Sequence, residues 1–225
     1  MNVTHERPFS NVEALRYGWR TTHANLKPLL TLGAIAAALA MLGSALTGPE
    51  RGLALNPFLG PGIQVLQWCV ALAFVRVALR LHDGRPVDLN RAGELLEGFF
   101  GYLLTGVLYC LVVAAGLALL VVPGVIWAVQ FGAATFLVAD AGLDPIEAFR
   151  ESRRITRGAR LQLLGFGLLL GLVNLVGALA LGVGLLVTVP TTYLAIAYVL
   201  RRLQARSAAP RTEPVAPGPL APVAS

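Results

Sequence analysis

Long apolar runs separated by short charged segments dominate this chain. Uncharged stretches cover residues 28–49, 52–75, 98–139 and 161–200. A transmembrane helix needs about 20 apolar residues to cross the hydrocarbon of a bilayer. The first two runs therefore predict one membrane-spanning helix each, and the last two runs predict a pair of such helices joined by a tight turn.

The six predicted spans can be placed from the lengths of the runs and from their glycines. The midpoint of the third run falls near Gly116, and that of the fourth near Gly182 and Gly184. A turn around Pro123 is an alternative for the third run, but it leaves about 16 residues for the fourth span, which is marginal. The predicted fold class is all-α, a polytopic membrane bundle of six transmembrane helices near 28–47, 62–82, 98–116, 118–139, 161–181 and 184–203.

Charge is distributed unevenly around these spans. All but one of the 18 Lys and Arg residues fall on one side of the predicted membrane, and Arg51 falls on the other. Because Lys and Arg accumulate in cytoplasmic loops, both termini are predicted to be cytoplasmic, in a multi-pass protein of the cell (plasma) membrane. The composition agrees, since 13% of the residues are charged, whereas soluble domains carry about 25%.

The termini lie outside the predicted transmembrane domain, which covers residues 28–203. Residues 1–27 are polar and are predicted to form a cytoplasmic amphipathic segment, not a cleaved signal, because the first apolar run is long enough to span and has no clear cleavage site. Residues 204–225 are rich in proline and alanine and offer no apolar face for burial. We expect them to form a disordered cytoplasmic tail.

Two segments between spans are predicted to form cytoplasmic amphipathic helices, near 88–97 and 144–159. In the second, Asp144 is the expected N-cap, Pro145 takes the first helical position, and Glu147 completes a capping box. Small and apolar residues then share one face of this helix: Ala148, Ser152, Ile155 and Ala159. Charged residues line the other: Glu147, Arg150, Glu151, Arg154 and Arg157. Such a helix lies at the membrane interface or packs under the bundle.

An internal repeat is predicted from two similar segments. Residues 10–16 (Ser-Asn-Val-Glu-Ala-Leu-Arg) align without a gap with residues 144–150 (Asp-Pro-Ile-Glu-Ala-Phe-Arg), and each copy precedes a predicted hairpin. A weaker third copy covers 88–97. The chain therefore divides into three units, each a cytoplasmic helix followed by a hairpin. The alternative is that any helix preceding a span shows this pattern.

Three short motifs carry a family resemblance. They are Val-Val-Pro-Gly-Val-Ile at 121–126, Phe-Leu-Val-Ala-Asp at 136–140 and Pro-Ile-Glu-Ala-Phe-Arg-Glu-Ser at 145–152. Together they resemble a family of six-helix prokaryotic membrane proteins related to the membrane domain of glycerophosphodiester phosphodiesterases. The resemblance covers most of residues 8–203. It implies a fold and a membrane role but no hydrolase activity, because the catalytic barrel of those enzymes is absent from this sequence.

Two arginines lie within a predicted span. Arg76 and Arg80 are four residues apart and share a helix face near the cytoplasmic end of the second span. Long cationic side chains at such a position extend to the interface. The alternative is a cationic site for a lipid phosphate.

Two amides are the most informative polar residues of the apolar runs. Gln130 and Asn174 would lie away from water, where an unpaired amide is costly. We expect each to hydrogen-bond to another helix and so lock the bundle; lining a pocket is the alternative.

Catalytic chemistry is not predicted. No histidine is paired with a cysteine or carboxylate at metal-ligand spacing, and no histidine inside the apolar runs could activate Ser44 as a nucleophile. The sequence therefore predicts no enzyme, no cofactor and no metal site.

The function expected from these patterns is a non-enzymatic integral membrane protein. Its Arg-rich cytoplasmic helices would organise lipid or a protein partner, with anionic headgroups as the expected ligands. The candidate contacts are Arg76, Arg80, Arg150, Arg153, Arg154 and Arg157. Nucleic acid is not expected, because the arginines flank apolar spans. The alternative is a small permease or lipid transporter acting as a homo-oligomer.

Overall fold

Helices make up all the regular secondary structure of the described chain. The structure, a computed structural model, describes residues 9–47, 59–87, 92–180 and 184–208. The described residues contain no strand, which confirms the all-α fold class. Ten helices follow one another there: α1 (Asn11–Ala24), α2 (Leu26–Thr47), α3 (Leu59–His82), α4 (Ala92–Leu96), α5 (Phe99–Leu119), α6 (Val121–Phe131), α7 (Ala134–Ala141), α8 (Pro145–Ile155), α9 (Arg160–Leu179) and α10 (Leu185–Ala208).

Five helical segments of the described chain are long and apolar enough to cross a membrane. They are Leu26–Leu46, Gly60–His82, Gly93–Leu119, Pro123–Ala141 and Arg160–Leu179. This finding agrees with a multi-pass membrane protein. The sixth predicted span, near 184–203, corresponds to α10 and is not among them. Proline, several threonines and three arginines make α10 less apolar than the other long helices.

The fourth predicted span is not one continuous helix, as 118–139 had suggested. It consists of α6 and α7, which are separated by a turn at residues 132–133. The hairpin turn before α6 lies at Leu120, whose backbone is extended with φ −166° and ψ 144°. The two helices approach closely there, because a Cβ added to Gly116 would lie 2.8 Å from the Cα of Gly124. The observed turn therefore lies between the two predicted positions.

The first helix of each hairpin lies on the outside of the bundle. In the apolar 18-residue stretch of each of these helices, only 17% of the residues are buried in α2, 22% in the segment that contains α5, and 17% in α9. The partners of α2 and α5 are more enclosed, with 44% buried for α3 and 39% for the segment that contains α6 and α7. The fully buried residues of α10 include Leu194 and Ala195, since α10 packs against α1, α2, α3, α8 and α9.

The short helices pack in a regular way. α4 lies against α3, α8 against α6 and α7, and α1 against α10. In the last contact, a Cβ added to Gly18 would lie 2.5 Å from the carbonyl oxygen of Thr191, so only glycine permits this approach. The hydroxyls of Thr22 and Thr191 lie 3.1 Å apart. The N-terminal segment therefore runs alongside α10.

Two predicted boundaries differ from the structure, and three predicted ranges cannot be compared with it. α8 ends at Ile155, four residues before the predicted end, and Gly158 follows with a left-handed backbone, φ 84°. α10 continues through 204–208, which the sequence had assigned to the tail, because Leu203 is still buried against the bundle. The predictions for residues 1–8, 88–91 and 209–225 lie outside the described residues.

Candidate functional site

The outer face of α8 and the turn directly after it present four exposed arginines, at positions 150, 153, 154 and 157. Arg154 donates two hydrogen bonds of 2.7 Å to the carboxylate of Glu151. These hydrogen bonds raise the pKa of Arg154. Among the described residues, no carboxylate lies within ion-pair distance of Arg150, Arg153 or Arg157. The three guanidinium groups, hereafter the α8 arginines, therefore form a cationic surface without a counterion from the described chain.

The inner face of α8 is held firmly against the bundle. Ala148 and Ser152 are fully buried, and Thr156 at the end of the helix is 1% exposed. The Ser152 hydroxyl donates a hydrogen bond of 2.8 Å to the carbonyl oxygen of Gln130, and the Thr156 hydroxyl approaches the same oxygen at 3.3 Å. Gln130 lies in the last turn of α6, where helical carbonyls lack partners within their own helix. The break after α6 thus creates the acceptor that α8 uses.

The two predicted amides make different contacts. Asn174 donates a 2.8 Å hydrogen bond from Nδ2 to the hydroxyl of Thr192, which joins α9 to α10. Its Oδ1 is buried and has no hydrogen-bond partner among the described residues. For Gln130, the contact with α8 is made by the main-chain carbonyl, although the amide side chain was the predicted donor or acceptor.

Arg76 and Arg80 lie beside α4. The guanidinium of Arg76 donates to the carbonyl oxygens of Glu94 and Glu97, the second at 2.6 Å. These carbonyls lie at the C-terminal end of α4, where cations are favoured. Arg80 forms an ion pair with Glu94 at 3.6 Å. Both guanidinium groups therefore interact with the protein itself and fix the turn between α4 and α5.

A cluster of one arginine and two aspartates joins α10 to the ends of α3 and α7. Arg201 of α10 donates two hydrogen bonds to Asp83, after α3, at 3.1 and 2.6 Å. It donates two more to Asp140, at the end of α7, at 2.6 and 2.9 Å. We call this arrangement the Arg201 clasp, and the end of the bundle that holds it the charged end. Sequence reasoning missed it, although Asp140 and Arg201 each follow an apolar run directly and Asp83 follows the second predicted span.

Aromatic and polar groups of α1 complete the charged end. The rings of Tyr17 and Tyr198 stack with centroids 5.0 Å apart, and His82 packs edge-on against both. His82 is therefore part of this packing. Tyr198 donates a 2.8 Å hydrogen bond to Glu13. Burial is the main cause that raises the pKa of Tyr17, and the charge of Asp83 adds to it.

An apolar cavity of about 350 Å³ lies next to α8, between the second and third hairpins. Its walls come from α5, α6, α7, α9 and α10, and Thr156 lines it beside the end of α8. The polar groups at its wall already have partners, since Tyr109 donates to the carbonyl oxygen of Ala128 at 3.2 Å and Thr156 donates to that of Ser152 at 2.8 Å. The cavity therefore suits an apolar occupant.

No group of three or more His, Cys, Asp or Glu residues in the described part of the chain could hold a metal ion.

Comparison with known proteins yields one family. A family model described as "Domain of unknown function (DUF7847)" matches residues 65–224. No curated protein and no solved structure matches the chain. The match bears out the expectation of a family without an assigned activity. It shows no link to the membrane domain of glycerophosphodiester phosphodiesterases, so that part of the resemblance stays a prediction.

Proposed function

We propose that this chain, which belongs to the DUF7847 family of unknown function, is a non-enzymatic integral membrane protein that binds anionic phospholipid headgroups. The observation that carries the proposal is the surface of α8. Its inner face is fixed by two hydroxyls on one carbonyl oxygen, and its outer face presents Arg150, Arg153 and Arg157 without described counterions. A rigid cationic surface beside a membrane attracts anionic lipid by about 1 kcal/mol per arginine.

The architecture that we propose has six spans, with α10 as the sixth. A helix enclosed by other helices does not meet lipid on all sides, so it can be less apolar than its neighbours. The burial of Leu194, Ala195 and Ala197 supports this position for α10. With six spans both termini lie on one side, and the excess of arginine at the charged end favours the cytoplasm for that side, in the plasma membrane.

The packing of the short helices supports three repeated units. The buried residues Ala14, Gly18 and Thr22 of α1 align with Ala148 and Ser152 of α8 and with Thr156 directly after it. Both threonines donate a hydrogen bond to the carbonyl oxygen four residues earlier, at 2.9 and 2.8 Å.

The placement of the short helices repeats as well. α4 packs on the second helix of the first hairpin, α8 on that of the second, and α1 on that of the third. We infer a cyclic arrangement of three helix–hairpin units.

The test compares lipid binding by variants in bilayer discs that contain phosphatidylglycerol or phosphatidylcholine. In the triple variant Arg150→Gln, Arg153→Gln, Arg157→Gln, we expect the number of retained phosphatidylglycerol molecules to fall, as counted by native mass spectrometry. The matched control is Glu151→Gln with Arg154→Gln, which removes a guanidinium from the same face without changing the net charge. Equal retention by both variants would contradict the proposal. Loss of a stoichiometric protein from the triple variant would identify a protein partner instead.

A second candidate function is a small permease or lipid transporter acting as an oligomer. The break between α6 and α7 favours it, because interrupted helices frame many transporter sites. A more polar cavity of about 380 Å³, lined by Gln64, Gln67 and Thr135, shares Tyr109 with the apolar cavity. Reconstituted liposomes that carry a fluorescent phospholipid test it. Flip rates equal to those of empty liposomes count against transport.

A further inference from the structure

The apolar cavity beside α8 is too small for a whole phospholipid and large enough for part of one. Its volume of about 350 Å³ lies at the low end of ligand cavities, which run from about 300 to 1,000 Å³. A buried water needs two to four polar partners, and the hydroxyls of Tyr109 and Thr156 already have acceptors. An apolar chain is the occupant that the wall chemistry favours.

The cavity has an opening on the surface of α9. Gly167 lines the cavity and is exposed, and a Cβ added there would meet no atom within 4 Å. Gly171 also has open space beside it. The pair Gly167 and Gly171 resembles a helix-packing stripe in the sequence, but no helix covers it among the described residues. Because α9 is long and apolar enough to span a membrane, this opening faces hydrocarbon when the protein is in a bilayer.

At Thr156 the wall of the cavity adjoins the segment of the chain that carries Arg153 and Arg157. Thr156 lines the cavity and precedes Arg157 directly. The Thr156 hydroxyl also lies 3.5 Å from the carbonyl oxygen of Arg153, one helical turn earlier. Arg160, at the start of α9, has a buried Nε without a hydrogen-bond partner among the described residues. Arg153, Arg157 and Arg160 thus lie within four residues of a wall residue of the cavity. An apolar cavity flanked by cationic residues is complementary to a molecule with an anionic head and an apolar tail.

We propose that the cavity holds one acyl chain of an anionic phospholipid whose phosphate is bound by the α8 arginines. The chain enters laterally past Gly167 and lies along Phe166 and Leu170, which are buried in the wall. The second acyl chain stays in the bilayer. This inference rests on the proposed function, since it assigns the tail of the lipid whose headgroup α8 binds.

The test uses phosphatidylglycerol with a photoreactive diazirine in one acyl chain, in vesicles that contain the full protein. Peptide mapping locates the crosslinks after illumination. We expect crosslinks to concentrate on cavity residues such as Tyr109, Phe166 and Leu200. Gly167→Phe places a ring at the opening, and we expect the cavity crosslinks to fall about fivefold, because the chain loses van der Waals contacts of several methylenes. Gly171→Phe is the matched control one turn away and should leave them unchanged.

The outcomes distinguish the acyl-chain site from the binding of the headgroup by the α8 arginines. Crosslinks spread evenly over α2, α5 and α9, with no effect of Gly167→Phe, overturn the acyl-chain site while headgroup preference remains intact. If phosphatidylcholine with the same diazirine labels the cavity as strongly as phosphatidylglycerol, the headgroup proposal fails and the chain site stands without it. If Gly167→Phe does not fold, as judged by circular dichroism, Gly167→Leu replaces it with the same expected direction.

Discussion

The Arg201 clasp allows a prediction of stability whose magnitude can be worked from the structure. Arg201 donates four hydrogen bonds to Asp83 and Asp140 and a fifth, of 3.2 Å, to Gln204. The side chains of the three charged residues are 25%, 24% and 19% exposed. Breaking a fully buried ion pair by removing one partner costs about 3–5 kcal/mol, whereas an exposed pair contributes about 0–1 kcal/mol. For this partly buried arrangement, we expect Arg201→Gln to lower the free energy of unfolding by about 2–3 kcal/mol.

Because the clasp contains one arginine and two aspartates, replacing the arginine should cost more stability than replacing either aspartate. Without Arg201, two carboxylates that share one cation are left to repel each other at the ends of α3 and α7. Without one aspartate, Arg201 keeps a complete pair with the other. Asp83→Asn and Asp140→Asn should therefore each cost about 1 kcal/mol, less than Arg201→Gln. Replacing all three residues by amides should recover part of the stability that Arg201→Gln loses.

The assay is unfolding by sodium dodecyl sulfate in mixed micelles, with helix loss followed by circular dichroism. Arg202→Gln is the control, because it changes the same charge at the next position. Arg202 pairs with Glu13 at 3.7 Å, and the two side chains are 56% and 59% exposed. A cost within about 1 kcal/mol is expected for it. If Arg201→Gln were no more destabilising than Arg202→Gln, or no more than Asp83→Asn, the reasoning from partial burial and shared charge would be wrong.

Three further predictions use the same unfolding assay. Ser152→Ala should cost about 1–2 kcal/mol, because it removes a buried hydroxyl from the carbonyl oxygen of Gln130; no loss would show that α8 is not held there. Gly177→Val should cost about 2 kcal/mol or more, since a Cβ at that position lies 2.5 Å from the hydroxyl of Thr188 and overpacking is destabilising, whereas Gly171→Val should cost less than 1 kcal/mol. Asn174→Leu should cost about 0.6 kcal/mol, the average for a hydrogen bond between membrane helices, and a cost above about 2 kcal/mol would indicate that the amide does more than join α9 to α10.

The helices that are long and apolar enough to cross a membrane could be predicted from the sequence, because the bilayer imposes a local rule. Each such helix must carry about 20 consecutive, predominantly apolar residues, and the segments Leu26–Leu46 and Arg160–Leu179 do so. The N-cap of α1 could also be predicted, because a serine three residues before a glutamate is typical of a helix start. In the structure, Ser10 accepts a hydrogen bond from the amide of Glu13 at 3.4 Å. Both features depend on residues that are neighbours in the chain.

The candidate site was predictable only in part, because its contacts join distant residues. The exposed arginines of α8 follow from helical periodicity. The contact of α8 with the broken end of α6 depends instead on hydroxyls that lie 22 and 26 residues further along the chain. The Arg201 clasp joins residues 118 and 61 positions apart. Arg76 could be recognised as a cation near a helix end, but its partners, two main-chain carbonyls after the next loop, carry no side-chain signature.

The position of α10 explains why hydropathy and burial disagree in this protein. Hydropathy measures what a helix presents to lipid, and a helix surrounded by protein is released from that requirement. α10 uses this freedom for Thr191, Thr192 and Arg201, each of which hydrogen-bonds to a different neighbouring helix. Polarity that would be costly at the lipid surface thus serves to orient the hairpins around α10. The apolar cavity, by contrast, lies at the periphery, between the second hairpin (α5 to α7) and the third (α9 and α10). These two hairpins leave a gap next to the end of α8. A lipid chain can occupy that gap without disturbing the polar contacts that hold the centre.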